Sequence, residues 1–205
     1  MSNDQPWTIG RLLTWTTDYL RERGAESPRL DAEVLLAHAR RCQRIELYTA
    51  FEELADEELR TRFRALVRTR AGGQPVAYLV GSREFFSLSF EVSSEVLIPR
   101  PESEQLVVLG LDWLKQRQDR FSGTSPRPPS IADVGVGSGV LAVCLAKHFS
   151  AAQVVATDVS KPALEIARRN AERHDVAERI ELRHGDLFDG LSPEVRFDLI
   201  VSNPP

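Results

Sequence analysis

The sequence is poor in cysteine, has no excess of basic residues and contains no long apolar run, and each shortage excludes a class of protein. Cys42 and Cys144 are the two cysteines among 205 residues, and they lie too far apart in sequence to form a C-x-x-C pair. They therefore predict neither a disulfide framework nor a metal site. We expect both to be buried apolar thiols, as is usual in a reducing compartment.

The charge and the hydropathy argue against two large classes of partner. The formal net charge is -4 and the isoelectric point about 5.7, so no global basic field favours nucleic acid, and we expect no stable nucleic-acid binding. Recognition of a structured partner by shape stays open. Residues 1–4 lack the basic and apolar regions of a secretory signal, and no apolar run is long enough to span a bilayer. We expect a cytoplasmic protein without membrane contact.

Residues 1–82 carry apolar residues at helical spacing only. The chain has 42% hydrophobic and 27% charged residues, which suits one large globular domain or two small ones. A first helix ends at Gly24, and a second begins with Ser27 as its N-cap and Pro28 at the first helical position. A third helix runs from near Asp56 to Gly72. The three helices predict a small helical bundle.

The third helix carries five arginines, for which two interpretations stay open. In the first they form a patch for RNA or for an acidic partner. In the second they form a solvated face that neighbouring carboxylates balance, and we favour it because the surrounding charge is mixed. The arginines are Arg60, Arg62, Arg64, Arg68 and Arg70, and the carboxylates are Asp56, Glu57 and Glu58.

Beyond residue 82 the pattern changes twice. Residues 83–99 predict a hairpin or extended connector, a helix follows through residues 106–114, and residues 116–130 predict a polar loop. From residue 131 strands alternate with helices. The strands are expected at 131–134, 153–157, 179–183 and 197–202, and the helices at 140–149 and 161–174. This alternation predicts an α/β domain over residues 100–205, built on a doubly wound, mostly parallel sheet.

A glycine-rich turn, Asp133–Gly139, follows the first of these strands and opens the first helix. Its G-x-G-x-G spacing differs from the G-x-G-x-x-G of dinucleotide sites, and alone it is equally typical of a structural turn. Asp158 ends the second strand, where an acidic side chain can accept both hydroxyls of a ribose. The alternative is that Asp158 caps the next helix, a role for which Ser160 competes. The turn and the acid together favour ribose binding.

The turn after the third strand is Asp186-Leu187-Phe188. In this layout it lies beside the adenine of a bound nucleoside. Asp186 can accept from the exocyclic amine, while Leu187 or Phe188 packs on the ring. An ordinary turn with a buried aromatic residue is an equally good interpretation.

The fourth strand runs directly into Asn203-Pro204-Pro205. A planar NH2 group needs two acceptors in its plane, and the side-chain oxygen of Asn203 and the backbone carbonyl of Pro204 can supply them. A nitrogen held in this way presents its face to an electrophilic methyl group. Positioning and polarisation then provide the catalysis without a covalent intermediate.

Three further segments carry distinctive motifs: Ser27–Glu33, Gly73–Phe85 and Leu97–Glu104. Together with Asn-Pro-Pro they resemble the HemK/PrmC family, the peptide chain release factor N5-glutamine methyltransferases. The resemblance covers almost the whole chain. Asn-Pro-Pro alone is shared with DNA adenine N6 methyltransferases, whereas the other segments are not.

The resemblance implies a Rossmann-like, S-adenosylmethionine-dependent methyltransferase whose substrate is the glutamine of the Gly-Gly-Gln motif in class 1 release factors. It implies that residues 1–82 recognise the substrate, 83–99 connect, and 100–205 bind the cofactor. The expected cofactor-binding residues are Gly135, Val136, Gly137, Ser138, Gly139, Asp158, Asp186, Leu187 and Asn203. The expected substrate-binding residues are Asn203, Pro204, Pro205, Arg100 and Glu102, with Asn203 and Pro204 catalytic. For Arg100 and Glu102 a salt bridge within the connector is the alternative.

The sequence also departs from the family pattern. Val136 stands where the family usually has threonine, and Leu187 where some members have an aromatic residue. The family motif continues with tyrosine and its sheet with further strands, so we expect C-terminal strands to be missing from this chain. Two other functions stay open: a DNA or RNA adenine N6 methyltransferase, which predicts a basic recognition region, and a truncated, non-catalytic protein that binds S-adenosylmethionine.

Overall fold

A computed structural model describes residues 6–122, 127–189, 191 and 194–204, and it divides the chain into two units, Met1–Gly81 and Ser82–Pro205. The first unit is helical, with α1 (Ile9–Arg21), α2 (Pro28–Arg40), α3 (Glu46–Thr49), α4 (Glu57–Ala71) and α5 (Val76–Val80). The second begins with β1 (Ser82–Phe85), β2 (Leu88–Glu91), α6 (Glu104–Gln116) and α7 (Gln118–Ser122). It continues with β3 (Ser130–Val134), α8 (Val140–His148), β4 (Gln153–Asp158), α9 (Lys161–Arg173), β5 (Ile180–His184) and β6 (Leu199–Ser202).

The helical unit is held together by the apolar faces of α1, α2 and α4. Leu13, Leu35, Leu36 and Leu47 are completely buried in its core, with Phe63 of α4 packed against them. The first and third predicted helices begin with side-chain caps, since Thr8 accepts from the Arg11 N–H and Asp56 from the Leu59 N–H. The second does not: α2 begins at Pro28 as predicted, but the Ser27 side chain makes no capping hydrogen bond.

A parallel sheet in the order β5-β4-β3-β6 forms the centre of the second unit, counting the described residues. The strands are in register, with Val134 opposite Thr157 of β4 and Ser202 of β6. The helices α6, α8 and α9 pack against this sheet around Leu145, which is completely buried. The predicted α/β fold, a helical part followed by a doubly wound parallel sheet, is confirmed.

Several predicted elements differ from the observed ones. The segment predicted as a polar loop over 116–130 contains the short helix α7, and α3 and α5 were not predicted. A helix of four or five residues is too short to display a helical period, which explains all three omissions. The fourth strand begins at Leu199 rather than at Phe197, and the third runs from Ile180 to His184. The predicted hairpin is present as the antiparallel pair β1 and β2.

The topology gathers the candidate functional residues at one edge. Because β3, β4, β5 and β6 are parallel, the turns that follow them lie at the same end of the sheet, where ligands bind in folds of this kind. No helix among the described residues has the length and apolarity needed to cross a bilayer. The described residues also contain no cluster of three His, Cys, Asp or Glu side chains suited to a metal ion.

Candidate functional site

The glycine-rich turn lies between the ends of β3 and β4. The N–H groups of Gly135 and Val136 both donate to the carbonyl of Thr157, each over 2.9 Å. Gly139, at the N-cap of α8, has a φ of +85°, and a Cβ atom there would lie 3.2 Å from the backbone of Ala167 in α9. A glycine is therefore required at this position both for the left-handed backbone and for the close approach of the two helices.

Asp158 joins this turn to the end of β4. One carboxylate oxygen accepts from the Gly137 N–H over 2.9 Å, and the other accepts from the Ser160 N–H over 2.9 Å. Ser160 caps α9 through its own side chain, which accepts from the Ala163 N–H. Asp158 is therefore not the side-chain cap of α9. A carboxylate offers about four acceptor positions, so two remain for ligand hydroxyls.

An open pocket of about 350 Å³ lies beside Asp158 at the carboxyl ends of the four strands. The turns after β3, β4, β5 and β6 all contribute to its wall, and so does the segment Glu95–Leu97 that follows the hairpin. A pocket of this size is at the lower end of the range for small-molecule sites. Representative lining residues from the four strand ends are Gly135, Asp158, Asp186, Leu187 and Asn203.

Two buried polar atoms at this edge have no hydrogen-bond partner among the described residues: Oδ1 of Asp133 and Oγ1 of Thr157. Thr157 lines the pocket, and Asp133 is the first residue of the glycine-rich turn. Burial raises the pKa of the Asp133 carboxyl from 3.8 to about 7, against the lowering effect of its bond from the Ala142 N–H. Unpaired buried polar atoms are costly, and their position here fits a site completed by a polar ligand.

Asn203 is held by a residue that lies a hundred positions earlier in the chain. Its side-chain NH2 donates to the hydroxyl oxygen of Ser103 over 2.9 Å, and Ser103 is buried. The Ser103 N–H in turn donates to the carbonyl of Arg100, which fixes the turn that leads into α6. Because the nitrogen of the Asn203 amide is engaged by Ser103, its oxygen is presented as a hydrogen-bond acceptor.

Asn170 of α9 connects the glycine-rich turn with the hairpin through hydrogen bonds. It is completely buried, and its oxygen accepts from the Glu91 N–H over 2.7 Å. Its NH2 group donates to the carbonyl of Glu91 and, over 2.8 Å, to the carbonyl of Ser138. A single amide side chain thus fixes the spacing between β2, α9 and the turn. This rigid support favours a preformed ligand site.

The structure brings some of the predicted site residues together and leaves others apart. Gly135, Gly137, Asp158, Asp186, Leu187, Asn203 and Pro204 line the pocket. Val136, Ser138 and Gly139 are buried behind it and serve the geometry of the turn. Arg100 and Glu102 are exposed, do not line the pocket, and form no ion pair with a described residue. Pro205 lies outside the described residues.

The aromatic residue predicted as one option beside the adenine occupies a different place. Phe188 lines a separate groove together with Phe197 and Ile200, whereas its neighbour Leu187 lines the pocket. Leu187 adopts a left-handed backbone with a φ of +46°, which turns the chain sharply after β5. Of the two side chains, Leu187 is the one placed to contact a ligand here.

Three residues that support the candidate site were missed at the level of sequence: Ser103, Asp133 and Asn170. Asn170 gave a usable signal, because it interrupts the apolar stripe of α9 formed by Ala163, Ile166 and Ala167. A polar residue on a buried helical face requires partners, which the sequence alone does not identify. Ser103 lies inside the motif Leu97–Glu104, but no pattern in the neighbouring sequence indicates that it contacts Asn203.

Family models match both units of the chain. A model described as the PrmC N-terminal domain matches residues 11–81, and one described as the methyltransferase small domain matches residues 123–205. Each covers less than half of the chain, and together they span most of it.

Curated relatives are similar over the whole chain and carry one common name. The release factor glutamine methyltransferase of Rhodopirellula baltica is 55% identical over 205 residues, which cover 100% of this chain and 67% of the relative. The protein of the same name from Chlorobaculum tepidum is 41% identical over 209 residues, covering 100% and 69%. That from Geobacter sulfurreducens is 42% identical over 199 residues, covering 97% and 65%. The chain spans about two thirds of the length of these relatives.

Proposed function

Because the chain belongs to the family of release factor glutamine methyltransferases, we propose that the full-length protein transfers a methyl group from S-adenosylmethionine to a glutamine side-chain amide. The acceptor is the glutamine of the Gly-Gly-Gln motif in class 1 release factors. Residues 1–81 recognise the release factor, and the reaction takes place in the cytoplasm.

The observation that carries this proposal is the orientation of Asn203. Its NH2 group is bonded to Ser103, so its oxygen is left to accept one N–H of the substrate amide. The carbonyl of Pro204 supplies the second acceptor, since the residue after it is a proline and brings no N–H of its own to this turn. Two acceptors in one plane hold an NH2 group by both hydrogens and polarise its nitrogen.

The residues of the pocket suit the cofactor. S-adenosylmethionine supplies an electrophilic methyl group when bound. Asp158 retains acceptor positions for ribose hydroxyls, and Gly135 leaves open space where any other residue would place a Cβ. Leu187 offers an exposed apolar surface for the adenine ring, with Asp186 next to it. The unpaired Oγ1 of Thr157 adds a polar group to the same wall.

The direct test uses the full-length protein, S-adenosylmethionine labelled in its methyl group, and a class 1 release factor in two forms. We expect label in the unmodified release factor and none in the variant whose Gly-Gly-Gln glutamine is replaced by alanine. Equal labelling of both forms, or labelling of neither, would contradict the proposal. A duplex DNA and an RNA substrate serve as further arms, because label in either would favour an adenine methyltransferase instead.

Replacement of the acceptor residue tests the mechanism. Asn203→Ala is expected to lower kcat by about a hundredfold or more, as loss of one preorganised polar contact to a reacting group commonly does. Binding of S-adenosylmethionine, measured by calorimetry, should persist because Asp158 and the glycine-rich turn are unchanged. Unchanged turnover in this variant would refute the role of Asn203.

A further inference from the structure

A groove of about 570 Å³ lies between α1 and α4 of the helical unit. One wall is aromatic, formed by Trp7, Trp15 and Tyr19, and the other is basic, formed by arginines of α4. It belongs to neither the cofactor pocket nor the Asn203 site, since all its lining residues precede residue 69. Its size is typical of a binding site rather than of a packing defect.

The aromatic wall is already arranged into a fixed surface. Trp15 and Tyr19 are stacked with their ring centroids 4.9 Å apart, and Trp7 meets Trp15 edge-on at 6.3 Å. Guanidinium groups lie over two of these rings, with Arg11 above Trp7 and Arg23 above Tyr19. Trp15 is nonetheless 49% exposed, which is a large apolar area for the surface of a small helical unit.

The basic wall consists of Arg60, Arg64 and Arg68, which are spaced four residues apart and therefore form one ridge of α4. Arg60 pairs with Glu57, but Arg64 and Arg68 are exposed and have no carboxylate partner among the described residues. Among the residues that the structure describes, no acidic side chain lines the groove. The helical unit nevertheless contains as many carboxylates as arginines, namely 12 of each in residues 1–81. Positive charge is thus concentrated in the groove of a unit whose arginines and carboxylates balance as a whole.

Two buried polar atoms at the groove also have no partner in the described part of the chain. They are the hydroxyl oxygen of Thr16, a residue that is completely buried, and Nε of Arg60. Both residues line the groove. Because both atoms are buried, the exposed side chains of Trp15, Arg64 and Arg68 are the ones placed to contact a bound molecule.

We propose that this groove binds an acidic segment of the release factor substrate, with carboxylates on Arg64 and Arg68 and an apolar side chain on Trp15. The identity of the partner rests on the proposed function, whereas the acidic character of the segment rests on the groove itself. The groove is a docking site separate from the one that receives the glutamine. Its contribution is to substrate affinity and not to the chemical step.

An acidic peptide fits better than a nucleic acid for two reasons. The rings of Trp15 and Tyr19 are stacked on each other, and arginines lie over Trp7 and Tyr19, so the described part of the groove offers few open ring faces for the stacking of successive bases. The exposed carboxylates of Glu57 and Glu58 stand on the same helix, and they would repel a continuous phosphate backbone. A short segment with a few carboxylates avoids both obstacles.

The test compares charge reversals on one helix. Arg64→Glu and Arg68→Glu change groove residues, and Arg62→Glu is the matched control, because Arg62 does not line the groove and pairs with Glu58. We expect each groove variant to raise KM for the intact release factor about tenfold while kcat is unchanged, since a charge-assisted contact becomes a repulsive one. The control should leave both constants within about twofold of the parent, because an exposed ion pair contributes little.

A second substrate separates docking from catalysis. For a short peptide that carries Gly-Gly-Gln, the groove variants should have the parent kcat/KM, since the peptide lacks the docking segment. Equal KM increases in the groove variants and the control, or no increase in any of them, would overturn the proposal. So would loss of binding to an RNA oligonucleotide in the groove variants, because it would make the groove an RNA site.

The binding step is also measured without turnover, so that failure of the proposed function is recognised separately. Calorimetric titration of the Asn203→Ala protein with the release factor should show tight binding that Arg64→Glu weakens. If the parent methylates no release factor, the proposed function fails, and this titration still decides the docking proposal. Equal affinity of the Asn203→Ala protein with and without Arg64→Glu would refute the proposal that the groove binds the release factor.

Discussion

Ser103→Ala is the substitution that tests most sharply how the site is oriented. The change removes the hydroxyl oxygen that accepts from the Asn203 NH2 group over 2.9 Å. It deletes one buried atom and leaves no cavity large enough to matter for folding. Asn203 remains present, but its amide is no longer prevented from turning its nitrogen toward the substrate.

The size of the effect follows from the hydrogen bond that is lost. A neutral hydrogen bond contributes about 0.5–1.5 kcal/mol net, which corresponds to a factor of about 2 to 13 in the population of the productive orientation. We therefore expect kcat for the release factor to fall about three- to tenfold. The affinity for S-adenosylmethionine should be unchanged, because Ser103 does not line the cofactor pocket.

Two further variants make this prediction specific. Ser103→Thr retains a hydroxyl at the same position and should restore most of the activity. In the Asn203→Ala background, Ser103→Ala should have no additional effect, because Ser103 acts only through Asn203. A further loss of turnover in the double variant, measured with labelled cofactor under saturating conditions, would show that Ser103 acts in some other way and would refute the reasoning.

Three other changes probe the cofactor edge of the sheet. Asp158→Ala should weaken S-adenosylmethionine binding at least about tenfold, measured by calorimetry. The control Ser160→Ala removes the helix cap, so it should lower the stability of the protein but keep its affinity for the cofactor. Equal affinities in the two variants would contradict the ribose role of Asp158. Gly139→Ala should destabilise the protein to urea by about 1 kcal/mol more than Gly135→Ala, because both have a positive φ but only the first places a Cβ atom against α9. Asp133→Asn should flatten the pH profile of stability. The pKa of Asp133 is raised from 3.8 to about 7, so the parent loses stability as pH rises across that interval. Between pH 5 and pH 8 the urea midpoint of the parent should therefore fall more than that of the variant. Parallel profiles for parent and variant would exclude a buried titrating Asp133.

The fold followed from periodicity wherever an element was long enough to show it. The alternation of apolar strands and amphipathic helices after residue 131 predicted the parallel sheet, and β3 and β4 lie within one residue of their expected bounds. The short helices α3, α5 and α7 were missed because four or five residues do not complete two turns. The N-cap position of α2 was predicted correctly at Ser27, but local signals could not show that the Ser27 side chain makes no capping hydrogen bond there.

The candidate site was predictable to the extent that its residues follow strands. Asp158, Asp186 and Asn203 were found because parallel strands end at a common edge, and all three line the same pocket. Arg100 and Glu102 were expected from their motif alone, and they are exposed residues outside that pocket. A motif identifies a segment that matters, but the register of the turn decides which of its side chains face inward.

The segment Leu97–Glu104 illustrates this point and connects two motifs that are far apart in the sequence. Leu97 lines the candidate pocket, Ser103 is hydrogen-bonded to Asn203, and the Glu104 carboxylate accepts from the Phe86 N–H of the hairpin over 2.9 Å. One short stretch therefore contacts the candidate pocket, Asn203 and the hairpin. Asn-Pro-Pro supplies an acceptor of the right type for any planar NH2 group, whether amide or adenine. The connector adds the fixed orientation of that acceptor, so the two motifs form one physical unit although a hundred residues separate them.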